Sequence, residues 1–395
     1  MKILIVAMAH SIHAARWISQ ISDMGWDIHL FPSYDTGDIH ASMKNLVIHP
    51  SFYSRNKTGR MNDYRGIPLY YRKMENMGKA LIRKFFPLYR VFQLAELIKR
   101  LRPDVIHSME FQQGCYLTLD AKKRIKGDFP PWIVSNWGSD IYLFGRLPEH
   151  KKRIKSVLSQ CDYYHCECQR DVDLALAFGF NKTLFPVCPN GGGFDVGYLL
   201  EKRGPLPASK RKKILLKGYQ SWAGRSLIGL RAIELCADVL RGFRVVIYLA
   251  GSDIVLAARL LSERTGIEFE FITEELPHDE MIEMHGLARI SIGLCISDGI
   301  STSLLEAMIM GSFPIQSHTS CGNEWIHHGE NGYLVHPESP EEVAKAIQSA
   351  LFDDCLVDNA AEINERIAKE RLDLSIVKPM AIDMYQKAAA RWRNQ

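Results

Sequence analysis

The sequence predicts an α/β protein of two domains, each a parallel sheet wrapped by helices, and three observations carry that prediction. The chain has 395 residues, too many for one ordinary core and enough for two of about 200 residues each. Short apolar runs alternate with stretches of helical spacing, the rhythm of strand and crossover helix. Near the middle, Arg203-Gly-Pro-Leu-Pro-Ala-Ser-Lys-Arg-Lys-Lys213 combines proline, glycine and a charge run, the marks of a boundary.

In the first half the strand-like runs are Lys2 to Ala7, Asp27 to Phe31, Val105 to His107, Trp132 to Ser135 and Tyr163 to Cys166. A second sheet begins at Ile214 and continues through Val245 to Gly251, Phe269 to Thr273 and Ile290 to Ile296. The expected division is a first domain over 1–203, a linker over 204–213, a second domain over 214–375 and a last helix, 376–395, packing back across both.

Hydrophobic residues make up 47% and charged residues 24%, a soluble globular composition. No apolar run approaches the ~20 residues of a membrane span, and Met1 to Ala7 is too short for a signal-peptide core. The nine cysteines are scattered, which suits a reducing cytoplasm. Cys161, Cys166 and Cys168 cluster around His165 without a second ligand pair at a zinc-like distance, so no metal is expected there.

The overall charge of +4 is distributed unevenly. Between Arg55 and Arg102 thirteen Lys or Arg stand against Asp63, Glu75 and Glu96, a local net of +10. Within it, Met77 to Phe92 alternates basic with large apolar residues. That pattern fits an anionic membrane surface, and equally a helix pair with a solvated basic face. No nucleic-acid-binding motif accompanies it, so nucleic acid is not an expected partner.

The chemistry concentrates at Asp298-Gly-Ile-Ser-Thr-Ser-Leu-Leu-Glu-Ala-Met-Ile-Met-Gly311, where two carboxylates stand eight positions apart across a loop-to-helix junction. Asp298 is expected in the loop and Glu306 in the first helical turn. Unpaired N–H groups and the positive end of the helix dipole suit a diphosphate, received by Gly299, Ser301, Thr302 and Ser303, while the carboxylates take hydroxyl donors from sugar and ribose. The competing reading makes Ser303 and Glu306 a capping box with no ligand.

Glu306-Ala-Met-Ile-Met-Gly311 and Asn331-Gly-Tyr-Leu-Val335 resemble the motifs of the retaining glycosyltransferases of family 4, most specifically over residues 285–350. Those enzymes carry a glutamate eight positions before the second one; here it is Asp298. The resemblance implies the GT-B fold, two Rossmann-like domains facing each other across a cleft. It implies ribose contact for Glu306 and sugar contact for Asp298, with nucleobase contacts near Ile272 and Thr273. Family members neutralise the diphosphate with Gly-Arg and a later Lys; in this chain Lys217 and Arg225 supply those charges in a shifted register.

The loop after the first strand lacks Gly-x-Gly-x-x-Gly, which argues against a nicotinamide or flavin enzyme. Its His10, His13 and Arg16 are candidate acceptor contacts, because open sheets bind ligands at strand carboxyl ends. Glu110 in His107 to Gly114, and Trp137 and Asp140 in Asn136 to Ile141, belong to the same set. Family members place a histidine near Trp137; here its counterpart is unassigned, and Asp140 either contacts a substrate hydroxyl or caps the following turn.

The expectation is a cytoplasmic, metal-independent enzyme, peripheral at the inner face of the membrane. Asp298, Glu306, Lys217, Arg225 and Asp140 would carry transfer of a hexosyl or N-acetylhexosaminyl group from a nucleoside-diphosphate sugar. UDP-sugar is favoured and GDP-mannose second, with a glycan or lipid-linked oligosaccharide of the cell surface as acceptor. A sugar-nucleotide hydrolase or epimerase and a non-catalytic binding subunit are the alternatives.

Overall fold

The computed structural model describes residues 1–35, 38–55, 61–274 and 276–393. The chain divides into two units, Met1–Gly193 with Val377–Gln395, and Phe194–Ile376.

Among the described residues the first unit is built on β1 (Lys2–Ala7), β2 (Asp27–Pro32), β3 (Val47–Ile48), β4 (Phe52–Ser54), β5 (Asp63–Tyr64), β6 (Ile67–Leu69), β7 (Val105–Met109), β8 (Trp132–Ser135), β9 (Tyr163–His165) and β10 (Thr183–Leu184). Eight of these form one parallel sheet in the order β10-β9-β8-β7-β1-β2-β3-β5, and β4 pairs with β6. Both faces of β1 are buried. Ile3, Ile5 and Ala7 enter one core and Leu4 and Val6 the other, which is why the run reads as continuously apolar. The two- and three-residue strands β3 to β6 and β10 are too short to leave a periodic signal, and the sequence reading passed over them.

The second unit holds β11 (Lys213–Lys217), β12 (Arg244–Tyr248), β13 (Glu268–Ile272), β14 (Ala288–Gly293), β15 (Phe313–Ser317) and β16 (Tyr333–Val335), all parallel, in the order β13-β12-β11-β14-β15-β16. Ile214 and Leu216 point into one core while Leu215 packs with Val246, Tyr248 and Ala288 on the other face.

Residues 204–213, expected as a linker, are packed into this unit. Ala208, Ser209 and Arg211 are buried. The Arg211 guanidinium donates to the carbonyls of Ala288 and Met310, the latter at the end of helix Thr302–Ile309. A charge run that looks like a solvated tether thus contains a structural cation. The unit also begins earlier than expected, at Phe194, whose N–H donates to the Leu372 carbonyl and whose carbonyl accepts from Leu374 N–H.

The last helix, Leu374–Arg393, brings the chain back to the first unit, where Val377, Ala381, Met384, Tyr385, Ala388 and Ala389 join the core. A buried hydrogen-bond chain anchors it. Trp17 Nε1 lies 2.9 Å from Tyr385 Oη, Tyr385 Oη 2.7 Å from His107 Nδ1, and His107 Nε2 2.7 Å from Ser135 Oγ. Ser135 Oγ lies 3.0 Å from His165 Nδ1, and His165 Nε2 3.2 Å from Cys188 Sγ. Because an indole can only donate, the whole chain has one consistent polarity: Tyr385 and Ser135 each donate to a histidine Nδ1, and both imidazoles are neutral. Cys161 and Cys166 are likewise spent in the fold, their thiols donating to the Leu158 and Cys168 carbonyls. No helix among the described residues is long and apolar enough to cross a membrane.

Burial pushes His107 down to about 3 and His165 down to about 4. Between those values and the ordinary 6.5 the unfolded chain binds more protons than the folded one, so stability rises with pH there. It should be fully present above pH 6.5 and fall on acidification by about 1.4 kcal/mol per pH unit for each histidine. Imidazole NMR shifts at about pH 7.5 and about pH 5 check the neutrality on which this rests, because unfolding midpoints also carry the opposite contribution of the raised Glu110 and Asp140 carboxyls; a ring protonated at about pH 5 would contradict the assigned polarity.

Candidate active site

In the second sheet the strand order reverses between β11 and β14, and open α/β sheets form their ligand crevice at the carboxyl ends of the strands flanking such a reversal. Lys217 is the last residue of β11, and the loop leaving β14 runs through Asp298 into helix Thr302–Ile309. The Lys217 Nζ lies 3.5 Å from Ser301 Oγ. Burial works against its charge, but Tyr248, Asp298, Cys295 and Glu306 around it together raise its pKa, so it is held as an ammonium.

The helix begins at Thr302 with Ser301 as its N-cap, which places Glu306 in the second turn and not the first. The capping box does not form: the Ser303 hydroxyl meets Ser301 Oγ at 2.9 Å, and the Ser301 side chain makes no cap bond. Glu306 is instead buried against two histidines. Its Oε1 is 2.9 Å from His278 Nε2, and its Oε2 is 3.9 Å from His285 Nε2.

His285 is tied through Nδ1 to Ser291 Oγ at 2.9 Å, and its Nε2 makes no hydrogen bond among the described residues. Burial lowers it to about 4, so it is neutral. Tyr248 stands edge-on to His285 at 5.9 Å, its hydroxyl bonded to Ser303 and its pKa raised by burial. Asp298 is half-buried and accepts the Gly299 N–H at 2.9 Å. Ser301 is buried, Thr302 and Ser303 half-buried, and the first N–H groups of the helix have no acceptor within it.

The sequence reading missed His278, His285 and Tyr248. Tyr248 could have been found, since it ends β12 at the same edge of the sheet. The histidines carry no spacing signal, because they reach Glu306 from helix His278–Leu287 only through packing.

Arg225 takes a different part. It is the N-cap residue of helix Ser226–Leu235, and its guanidinium turns back on the preceding loop. Nη1 donates to the carbonyls of Ser221 and Gly224 at 3.3 and 3.0 Å, and Nε meets Glu338 at 2.9 Å. Arg225 thereby shapes the loop that carries exposed Tyr219 and Trp222 beside Lys217.

In the first sheet the reversal falls between β1 and β7. His10 is exposed in the loop after β1. His13 and Arg16, expected in that loop, are on helix Ile12–Ser19. The His13 ring lies 5.6 Å from that of Trp137. Gly191 faces both: a Cβ there would come 3.7 Å from His13 Nδ1 and 4.0 Å from the Arg16 guanidinium carbon. The buried Trp137 Nε1 has no hydrogen-bond partner among the described residues.

Glu110 and Asp140 are turned onto backbone. Asp140 accepts the N–H groups of Trp137 and Phe111 at 2.8 and 3.0 Å, and Glu110 those of Gln112 and Gln113 at 2.8 and 2.6 Å. Burial raises both carboxyls, and the Asp140 charge raises Glu110 further. As found, they position the strand-end loops.

Residues 2–166 match the family described as glycosyl transferase 4-like, and residues 233–370 that of glycosyl transferases group 1, together more than three quarters of the chain. The chain belongs to the family-4-like glycosyltransferases. Solved structures agree on the GT-B fold. The sucrose-phosphate synthase of Thermosynechococcus elongatus is 14% identical over 100% of both chains with a TM-score of 0.70. Anabaena HepE in complex with UDP and glucose is 14% identical over 98% of this chain and 99% of its own, TM-score 0.66. A glycosyltransferase of Rickettsia africae is 13% identical over 98% of both, TM-score 0.64. No functionally curated protein matches by sequence.

The loop of this glycosyltransferase beside Lys217 offers a geometric test. A Cβ on Gly224 would stand 2.0 Å from the Tyr219 carbonyl oxygen, so Gly224→Ala must open the turn. That turn is stitched to the segment just past β14 by Arg225 N–H to the Leu294 carbonyl and Ile296 N–H to the Ala223 carbonyl. Amide exchange at Arg225 and Ile296 should rise by at least about tenfold in Gly224→Ala while helix 302–309 is unchanged; unaltered exchange would show that the turn does not depend on glycine.

Proposed function

We propose that the second unit binds a nucleoside-diphosphate sugar and that the enzyme transfers its glycosyl group with retention, without a metal, to a glycan or lipid-linked oligosaccharide of the cell surface. The observation that carries this is the half-buried Lys217 ammonium at a strand-order reversal, ringed by Asp298, Glu306 and Tyr248 beside a helix start. A fixed cation and inward-aimed N–H groups stabilise charge that develops on a departing diphosphate, so they act in the transition state.

In this reading Gly299, Ser301, Thr302 and Ser303 receive the diphosphate beside Lys217, and Arg225 supports it by shaping the neighbouring loop. Glu306, oriented by His278, takes ribose hydroxyls, and Asp298 takes hydroxyls of the donor sugar. The bond from the anomeric carbon to the diphosphate oxygen breaks as the acceptor oxygen bonds to the same face. The acceptor proton passes to the departing phosphate oxygen, so no protein nucleophile is required. On the first unit His10, His13, Arg16 and Trp137 face the acceptor, Glu110 and Asp140 holding their loops, and His13 against Trp137 supplies the imidazole that family members place there.

A UDP-sugar is the favoured donor, supported by the Anabaena HepE complexes with UDP and UDP-glucose; GDP-mannose is second. A lipid-linked acceptor brings the enzyme to the inner face of the membrane as a peripheral protein, with residues 55–102 toward anionic lipid; 56–60 lie outside the described residues.

Binding to the folded state alone raises stability by about 2.7 kcal/mol at a ligand concentration a hundredfold above Kd. A thermal-shift panel of UDP, GDP, ADP and their hexose derivatives should therefore show one base raising the melting temperature by several degrees. Glu306→Ala should abolish that shift. No shift with any nucleotide, or an undiminished one in Glu306→Ala, would overturn the reading.

A further inference from the structure

Helix Arg72–Phe85 is built inside out. Its buried side carries charge: Glu75 and Lys79 are 4% and 3% exposed. Its outer side carries Met74, Met77, Leu81 and Phe85, all exposed, and Phe86, 66% exposed, follows directly. At 3.6 residues per turn positions 74, 77, 81 and 85 fall within one narrow stripe, and Lys73 and Lys84 run along its border.

The rotation of the helix is locked by what lies beneath it. Lys79 Nζ is 2.7 Å from Glu75 Oε1 and 3.3 Å from Asp35 Oδ1. The other Asp35 oxygen is 4.0 Å from the Arg90 guanidinium, which stacks on Phe31 at 3.7 Å from the ring centroid. Two cations and two anions neutralise one another in a desolvated cluster. Rolling the helix to bury its apolar stripe would separate those pairs and strand their charges, a heavier penalty than leaving methionines and phenylalanines in water. The exposed stripe is therefore a fixed feature of the native state.

We propose that this stripe is the face that enters an anionic lipid bilayer, with the helix in the plane of the interface. The proposal rests on the peripheral-membrane part of the function proposed above and assigns it to particular side chains. Charge complementarity selects the occupant. Lys73, Arg83 and Lys84 are exposed around the stripe in a segment of net charge +10 over residues 55–102, and long basic side chains reach lipid phosphates while their stems stay apolar. Tyr70 and Tyr71, exposed just ahead of the helix, suit the headgroup depth where aromatic rings collect. An apolar face and a basic rim acting together are the two signals that stable, reversible attachment needs.

The test is co-sedimentation of the full chain with vesicles of phosphatidylcholine alone or mixed with phosphatidylglycerol. The expected result is binding to the mixed vesicles only, weakened by salt. Both Met77→Asp/Phe85→Asp and Lys73→Glu/Lys84→Glu should reduce it by at least about tenfold, with far-UV circular dichroism and the melting temperature unchanged as the sign that the substituted first unit is folded. Wild-type protein that ignores anionic vesicles would overturn the membrane reading and this inference with it. Wild-type binding that both variants retain would overturn the inference alone. A wild-type dimer in light scattering that Met77→Asp/Phe85→Asp converts to monomer, without any vesicle binding, would assign the stripe to a second copy of the chain.

Discussion

A parallel sheet whose strand order reverses leaves a gap between the loops on either side of the reversal, and the geometry of the candidate site depends on that constraint. In the second unit the reversal lies between β11 and β14. It puts a lysine at the end of one strand beside the serines at the start of a helix that follows the other. No local preference of Lys217 or Ser301 brings them within 3.5 Å across 84 positions; the pairing of β11 with β14 does. The same constraint in the first unit gathers the loops after β1, β7 and β8, so that His13 meets Trp137.

Around both gaps, buried polar groups are used to hold geometry. Glu306 is set by His278, and His285 is set by Ser291; Asp140 and Glu110 hold N–H groups of the loops around them. The chain from Trp17 to Cys188 does the same for the last helix, and its single polarity puts one proton on the Nε2 of each histidine and leaves no room for a second. Each arrangement is costly to break because a buried donor or acceptor left unpaired loses its full solvation. Strain adds to this picture at two points. Glu110 and Leu249, both just past strand ends, have φ of 70° and 54°, in the left-handed region where a side chain costs about 1–3 kcal/mol.

The charged cluster under helix Arg72–Phe85 shows the same economy on a larger scale. Four neutralising charges decide which way a helix faces, and the apolar surface goes where they send it. A sequence pattern of alternating basic and apolar residues describes such a helix in two ways, apolar side in or apolar side out. The choice between them lies in Asp35, which pairs with Lys79, and Arg90, which faces Asp35, both on other segments.

The long strands, the two-domain α/β class, the family motifs and the junction from Asp298 to Glu306 were legible in the amino-acid sequence alone, because strand burial on both faces and loop-to-helix chemistry are local. The place of Lys217 at the end of an apolar strand was legible as well. Tertiary structure alone decided the rest. It moved Glu306 to the second helical turn and paired it with histidines from another helix. It drew Arg225 onto its own loop, turned Asp140 onto backbone, and buried Arg211 in what read as a linker. In each case the deciding partner is either distant in sequence or a backbone group that any residue could offer, and neither leaves a mark on the spacing of side chains along the chain.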